Sequence, residues 1–143
     1  MKTLILILGV IFSSNVLSIS SCKYARSELD ALSCVVYNEA RGASKTDKIA
    51  TAYVAMNRVN HPNFSDDLIK VIYRKHQFSW TSSHPKDLVP KNPEAWAESK
   101  RIAALVLDEL IPDPTNGAVY FGKSRKPYMK RVTLKTGAHY YAK

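Results

Sequence analysis

The acidic residue in this sequence that is best placed to do chemistry is Glu39. It lies in the run Tyr37–Gly42, where an apolar helical segment ends in a carboxylate, an arginine and a glycine. At 100° per residue, Glu39 falls inside the apolar arc, where partial burial raises a carboxyl pKa. A general acid needs a raised pKa near neutral pH, so Glu39 is the candidate catalytic acid. The alternative is a structural glutamate that pairs with Arg41 or caps a neighbouring element.

The element that must position Glu39 is a helix predicted to begin after Ser27, whose hydroxyl can accept a hydrogen bond from an early backbone N–H. One broad apolar arc of this helix is formed by Leu29, Leu32, Val35, Val36 and Ala40. Cys34 lies on the opposite arc, where it could meet a chain that passes over the helix. Two alternatives stay open for Cys34: a disulfide with Cys22 in an oxidising compartment, or packing as a small apolar residue.

Caps and periodicity predict three more helices. Ser44 caps a helix that ends before Pro62, since the residue before a proline disfavours helical backbone. Its core-facing stripe comprises Ile49, Ala52, Tyr53, Met56 and Val59. Ser65 is expected to cap a short helix. Asn92 is expected to cap the longest one, with Pro93 in the first helical position.

The longest helix is expected to extend through Leu110 and to end at Pro112. Short strands are predicted at Ala118–Phe121, around Val132–Leu134 and around His139–Tyr141. The core pattern contains no internal repeat and no linker long enough to divide it. Residues 22–143 are therefore predicted to form one α+β domain, mainly α, with a small β-hairpin region.

The segment between the third and fourth helices alternates in polarity. Gln77 and Ser79 fall on one face of a predicted strand, and Phe78 and Trp80 fall on the other. Aromatic faces beside amide and hydroxyl groups suit sugar rings, which have apolar C–H faces and hydroxyl rims. The alternative is a hairpin that packs its aromatic side chains inward.

Composition restricts the class of partner. The 143 residues are 45% hydrophobic and 23% charged, which is typical of one globular domain. The formal net charge of +9 favours polyanions, namely nucleic acid, anionic lipid or an acidic wall polymer. The sequence contains no arginine-rich helix, zinc-finger spacing or aromatic RNA-binding pattern, so nucleic acid is not expected as a partner.

The N-terminal segment, residues 1–21, has the pattern of a secretory signal. Lys2 precedes the apolar run Leu4–Phe12, which is short for a stable membrane span. Three outcomes stay open: cleavage after Ser20, lipid attachment at Cys22, or retention as a weak, releasable anchor. Each predicts export to the periplasm or cell envelope, and the anchor adds transient contact with the inner membrane.

Metal and cofactor chemistry has little support in the sequence. The four histidines do not form a metal-binding motif, and no phosphate-cradle or nucleophile-elbow pattern is present. No metal or cofactor is therefore expected, although a scattered zinc amidase site stays open. Ordinary glycoside hydrolysis uses two carboxylates, and only Asp66, Asp67 and Asp87 are available as partners for Glu39, without supporting spacing.

Several segments, taken in order, resemble one known family. They are Tyr37–Gly42, Ala55–Val59, Val71–Tyr73, Gln77–Trp80, Trp96 with Ile102–Ala103, and Asp113–Phe121. This ordered set resembles the cell wall hydrolase family of the spore-cortex-lytic SleB/CwlJ type. The resemblance covers Leu29 to about Phe121 and is loose beyond it. The family often has glutamate after the Glu-Ala-Arg-Gly run, where this chain has Ala43.

The resemblance implies a lysozyme-like or lytic-transglycosylase-like domain that acts as a monomer on peptidoglycan glycan strands. It assigns the catalytic acid to Glu39. Gln77, Ser79 and Tyr120 are our own candidates for orienting the sugar. A lytic transglycosylase needs one acid, because the C6 hydroxyl of the sugar replaces water. A zinc-dependent N-acetylmuramoyl-L-alanine amidase and a non-catalytic basic wall-binding domain are the alternatives. A phage endolysin and a bacterial remodelling enzyme both fit these residues.

Overall fold

The computed structural model describes residues 21–143. The signal or anchor predicted for residues 1–21 therefore lies, except for Ser21, outside the described residues. The helices are α1 (Glu28–Ala40), α2 (Lys45–Val59), α3 (Leu68–Tyr73) and α4 (Pro93–Leu107), with short 3-10 helices at Ser79–Ser82 and Pro85–Leu88. The strands are β1 (Tyr120–Gly122), β2 (Val132–Lys135) and β3 (Tyr140–Ala142). This confirms the predicted mainly helical α+β class.

Three of the predicted helix caps are confirmed. The side chains of Ser27, Ser44 and Asn92 accept hydrogen bonds from backbone N–H groups in the first turns of α1, α2 and α4. The cap predicted for α3 is wrong: Asp67, not Ser65, accepts the N–H of Lys70. Ser65 instead accepts the N–H of Asp67 and forms the turn before the helix.

The predicted end of α4 is also wrong. The helix ends at Leu107, and Glu109 then adopts a left-handed backbone conformation with a φ of 53°. This turn directs the chain away from the helix axis, so Leu110 is exposed to solvent instead of continuing the apolar arc.

The core forms where α1 packs against α4, α2 and α3. Leu32, Val35 and Val36 of α1 are fully buried in this core, together with Trp96 of α4. A salt bridge of 2.7 Å between Lys48 and Glu98 joins α2 to α4 at its edge. Among the described residues, no helix is both long and apolar enough to cross a membrane.

The N-terminal part of the described chain is attached to the helices by a disulfide between Cys22 and Cys34. The alternative in which Cys34 only packs is therefore excluded. The backbone of Cys22 also donates a hydrogen bond of 2.9 Å to Leu88 O and accepts one of 2.8 Å from the Tyr73 hydroxyl. This segment thus connects α1, α3 and the loop before α4.

The three strands form an antiparallel sheet in the order β1-β3-β2. The predicted strands are confirmed, with boundaries shifted by one or two residues. Tyr141 of β3 is fully buried against Ala50 and Val54, so the sheet packs on α2. This packing brings the C-terminal part of the chain next to the end of α1.

The strand predicted around His76–Thr81 is wrong. Ser79 begins a 3-10 helix, in which the N–H and hydroxyl of Thr81 both donate to Phe78 O. Because the backbone turns here, Phe78 and Trp80 do not form an exposed aromatic face. They are 2% and 8% exposed and pack in the core. The inward-packing alternative therefore describes their side chains, and a role in binding sugars stays a prediction.

Candidate active site

A cavity of about 580 Å³ brings most of the predicted site residues together. Glu39 reaches it from the last turn of α1, and Tyr120 reaches it from β1. Gln77 and Ser79 line it from the segment after α3. The cavity therefore lies between the helical part of the chain and the sheet, where tertiary packing joins residues distant in sequence.

Two further cavities, of about 400 and 370 Å³, adjoin this one at Glu39. Glu39 lines all three of these cavities. Arg41 and Lys91 line the second cavity together with Asp87.

Glu39 is half-buried, and nearby charges do not fully offset the cost of burying its carboxylate. Burial raises the pKa of its carboxyl group, and the nearby cations Arg58 and Lys123 offset this only in part. In the described part of the chain, Glu39 has no hydrogen-bond or ion-pair partner. The alternative pairing with Arg41 does not form, because Arg41 donates to the Tyr37 hydroxyl at 2.9 Å. Glu39 thus has the pKa direction that a general acid requires.

Arg58, at the end of α2, is a site residue that sequence reasoning did not single out. Its guanidinium is buried over the rings of Phe64 and Phe78, at 5.4 and 5.2 Å from the ring centroids. Nε donates to Val119 O at 2.9 Å, directly before Tyr120 in the chain. Burial lowers the pKa of Arg58 to about 10, which leaves it charged at neutral pH. Arg58 therefore supports the start of β1 and places a positive charge near Glu39.

A second polar group holds the turn before β1. Asn57 Nδ2 donates to Asp113 Oδ2 at 2.9 Å and to Ala118 O at 3.0 Å. The same Asp113 oxygen accepts the N–H of Gly117, whose φ of 84° favours glycine. The signal for this contact was present in the sequence as two separate segments, Ala55–Val59 and Asp113–Phe121. Nothing local shows that they meet.

The remaining candidate acids are separated by the fold. Asp87 lines the second cavity with Glu39, whereas Asp66 and Asp67 line none of the three. Within residues 21–143, no group of three or more His, Cys, Asp or Glu side chains converges as metal ligands. The main cavity has Glu39 as the sole carboxylate in its described lining.

Comparison with known proteins places this chain in a family. Residues 42–142 match the Cell Wall Hydrolase family. This match covers more than half of the chain, so the protein belongs to the cell wall hydrolases. It begins at Gly42, just beyond Glu39, and it includes the C-terminal strands, where the sequence resemblance had been loose.

The spore cortex-lytic enzyme of Halalkalibacterium halodurans is 32% identical over 99 residues, which are 68% of this chain and 28% of the relative. The chain thus spans just over a quarter of that relative's length.

Two solved structures share the fold. The catalytic domain of the Bacillus cereus SleB protein has a TM-score of 0.65 at 23% identity, over 88% of this chain and 97% of that chain. The catalytic domain of the germination-specific lytic transglycosylase SleB from Bacillus anthracis has a TM-score of 0.69 at 23% identity, over 84% and 97%. These similarities confirm the predicted lytic-transglycosylase-like architecture.

Proposed function

We propose that this chain cleaves the β-1,4 bond between N-acetylmuramic acid and N-acetylglucosamine in peptidoglycan, as a lytic transglycosylase with Glu39 as its catalytic acid. The observation that carries the proposal is the position of Glu39. Glu39 is half-buried, its carboxyl group has a raised pKa, and it lines all three of the cavities described above. Family membership supports the cell wall as the site of action.

The proposed reaction uses one carboxyl group twice. Glu39 first donates its proton to the bridging oxygen, and the bond from that oxygen to C1 of the muramic sugar breaks. The C6 hydroxyl oxygen of the same sugar then bonds to C1 and closes a 1,6-anhydro ring. Its proton goes to a base, and the Glu39 carboxylate can serve in that role. Because no water attacks, the main cavity needs no second carboxylate.

Polar and aromatic groups in the main cavity are suited to hold the sugar. Gln77 and Ser79 supply an amide and a hydroxyl, as the sequence predicted for sugar orientation. Tyr120 and Tyr128 lie with ring centroids 5.3 Å apart, and Tyr128 is 55% exposed. In our proposal, this tyrosine pair offers the apolar sugar-facing surface that the buried Phe78 and Trp80 do not.

The cellular setting is part of the proposal. The disulfide is typical of exported proteins, in line with the secretory pattern of residues 1–21. We propose that the protein reaches the periplasm or cell envelope as a monomer, with transient membrane contact through that segment. Its net charge of +9 favours binding to an anionic wall. Host cell lysis by a phage endolysin is one such setting.

The decisive experiment digests purified peptidoglycan with the wild type and Glu39→Gln, followed by mass spectrometry of the products. We expect anhydro-muramic ends from the wild type and at least a 10²-fold loss of rate in Glu39→Gln. Glu94→Gln is a matched control, because Glu94 is an exposed glutamate in the first turn of α4. Undiminished lysis by Glu39→Gln would overturn the proposal.

A companion variant separates transglycosylation from hydrolysis. Asp87 is the other acid that shares a cavity with Glu39. If Asp87 activated a water, Asp87→Asn would stop cleavage and the wild type would yield reducing muramic ends. We expect instead that Asp87→Asn retains the anhydro products. Release of free peptides, together with loss of activity in a chelator, would favour the zinc amidase alternative.

A further inference from the structure

A second ionisable side chain, His139, lines the same cavity as Glu39. His139 and Glu39 both line the 580 Å³ cavity and the 370 Å³ cavity next to it. The side chain of His139 is only 5% exposed, and its Nδ1 lies 3.3 Å from Oδ1 of Asp47. One ring nitrogen is therefore engaged inside the protein.

Asp47 determines which ring nitrogen carries the proton. Asp47 is 1% exposed, and its carboxylate also accepts hydrogen bonds from Ser44 Oγ at 2.9 Å, Tyr141 OH at 3.0 Å and the Thr136 hydroxyl. Burial alone would raise the pKa of Asp47, but these hydrogen bonds outweigh it and lower the pKa. An ionised carboxylate only accepts hydrogen bonds, so Nδ1 of His139 is the donor.

The other ring nitrogen faces the cavity. With Nδ1 protonated, the neutral ring has a free lone pair on Nε2. Among the atoms of residues 21–143, the fully buried side-chain nitrogens and oxygens without a partner are Arg58 Nη1 and Trp80 Nε1. Nε2 of His139 also lacks a described hydrogen bond but is not one of these buried atoms. It is therefore accessible, and the open space that His139 lines is the cavity shared with Glu39.

We propose that Nε2 of His139 is the base that accepts the proton of the attacking sugar hydroxyl. This rests on the proposed function and changes only the acceptor of that proton. Glu39 protonates the bridging oxygen and the C1–O bond breaks. The C6 oxygen bonds to C1 while its proton passes to Nε2, and the imidazolium formed is stabilised by ionised Asp47. The imidazolium then releases its proton to solvent and the Glu39 carboxylate takes one up from solvent, so both groups regain their starting forms.

The test is His139→Asn in the full chain. The asparagine amide has an N–H in place of Nδ1–H for Asp47, but it has nothing in place of Nε2. His84→Asn is the matched control, because His84 caps a short 3-10 helix and lines none of the three cavities. We expect His139→Asn to form anhydro-muramic products about 10²-fold more slowly than the control. The KM for peptidoglycan and the melting temperature should stay close to those of the control.

A spectroscopic measurement on the wild type does not depend on whether the variant folds. Nitrogen-15 NMR of the histidine rings should show that the neutral form of His139 carries its proton on Nδ1 and none on Nε2. A proton on Nε2 in the neutral ring, or an unchanged rate of anhydro product formation in His139→Asn, would overturn the inference. If the proposed function itself were wrong, the Glu39→Gln variant would still lyse peptidoglycan, which is a separate result.

Discussion

Two carboxyl groups on either side of the α1–α2 turn, Glu39 and Asp47, have pKa values that shift in opposite directions. Burial by itself would raise the pKa of both carboxyl groups. For Glu39, the charges of Arg58 and Lys123 offset only part of this effect. For Asp47, hydrogen bonds from several side chains outweigh it. The direction of the shift is thus decided by hydrogen-bond donors and not by burial alone.

The positions of the two residues on their helices act in the same directions. Asp47 lies in the first turn of α2, where the helix dipole favours a negative charge. Glu39 lies in the last turn of α1, where the dipole disfavours one. An acid that lacks donors at a helix C-terminus retains a proton that it can give away. An acid that is fully hydrogen-bonded at a helix N-terminus serves as a fixed charge.

The largest effect on stability should come from Asp47→Ala. This change leaves the hydroxyls of Ser44, Thr136 and Tyr141 and the ring of His139 without their acceptor in a buried site. We expect the free energy of unfolding in urea to fall by about 3 kcal/mol. Asp66→Ala is the control, because Asp66 is exposed. A loss no greater than that of the control would show that the hydrogen bonds to Asp47 do not stabilise the fold.

Lowering the pH should reduce the contribution of Asp47 to the free energy of unfolding. Because folding lowers the pKa of Asp47 below 3.8, its contribution is complete above pH 3.8 and is lost as the pH falls towards the lower folded value. The difference between the wild type and Asp47→Ala should therefore narrow below pH 3.8. Urea unfolding at pH 7 and at pH 3 measures it. A difference that stays constant would mean that Asp47 is not ionised in the folded protein.

Glu39→Gln should have a smaller effect on stability, with the opposite sign. Folding raises the pKa of Glu39 above 4.5, so the ionised form destabilises the fold above the folded pKa, and this penalty disappears as the pH falls to 4.5. Glutamine carries no such penalty. We expect the variant to be more stable at pH 7, on the order of 1 kcal/mol. The gain should vanish near pH 4.5. Lower stability at pH 7 would contradict the raised pKa.

The smallest effect should come from Lys123→Gln. Lys123 is exposed, and its charge lowers the pKa of Glu39. Since the general acid must be protonated, kcat/KM falls as the pH rises above that pKa. Removal of the Lys123 charge should move this fall in kcat/KM to slightly higher pH, and high salt should abolish the difference from the wild type. Exposed Lys126 provides the control, Lys126→Gln, and an equal shift there would contradict a specific effect of the Lys123 charge on Glu39.

Local signals in the sequence were reliable where the physics is local. A cap depends on one side chain and the N–H groups of the next turn, so Ser27, Ser44 and Asn92 were identified correctly. Helical periodicity also placed Glu39 at the edge of the buried arc, and its raised pKa is confirmed. Ser65 was wrong because Asp67, two residues on, provides an equivalent acceptor closer to the apolar residues of α3.

Local signals failed where distant residues decide the outcome. The alternation of Gln77 to Trp80 is compatible with a strand, yet that segment pairs with no other strand in the described chain. Instead, Phe78 packs against Phe121, with ring centroids 6.2 Å apart. The contact between Asp47 and His139 spans 92 residues of sequence. Local periodicity does not encode such a separation.

By itself, the sequence determined the helices, their caps and the partly buried position of the candidate acid, because these depend on contacts within a few turns. The tertiary structure alone decided what surrounds that acid. Packing the sheet on α2 brought Tyr120 and His139 to the cavity that Glu39 lines, and it enclosed Asp47 among hydrogen-bond donors. Burial with the charges of Arg58 and Lys123 sets the pKa shift of Glu39, and the donors set that of Asp47, since electrostatic environments depend on distance in space and not on distance along the chain.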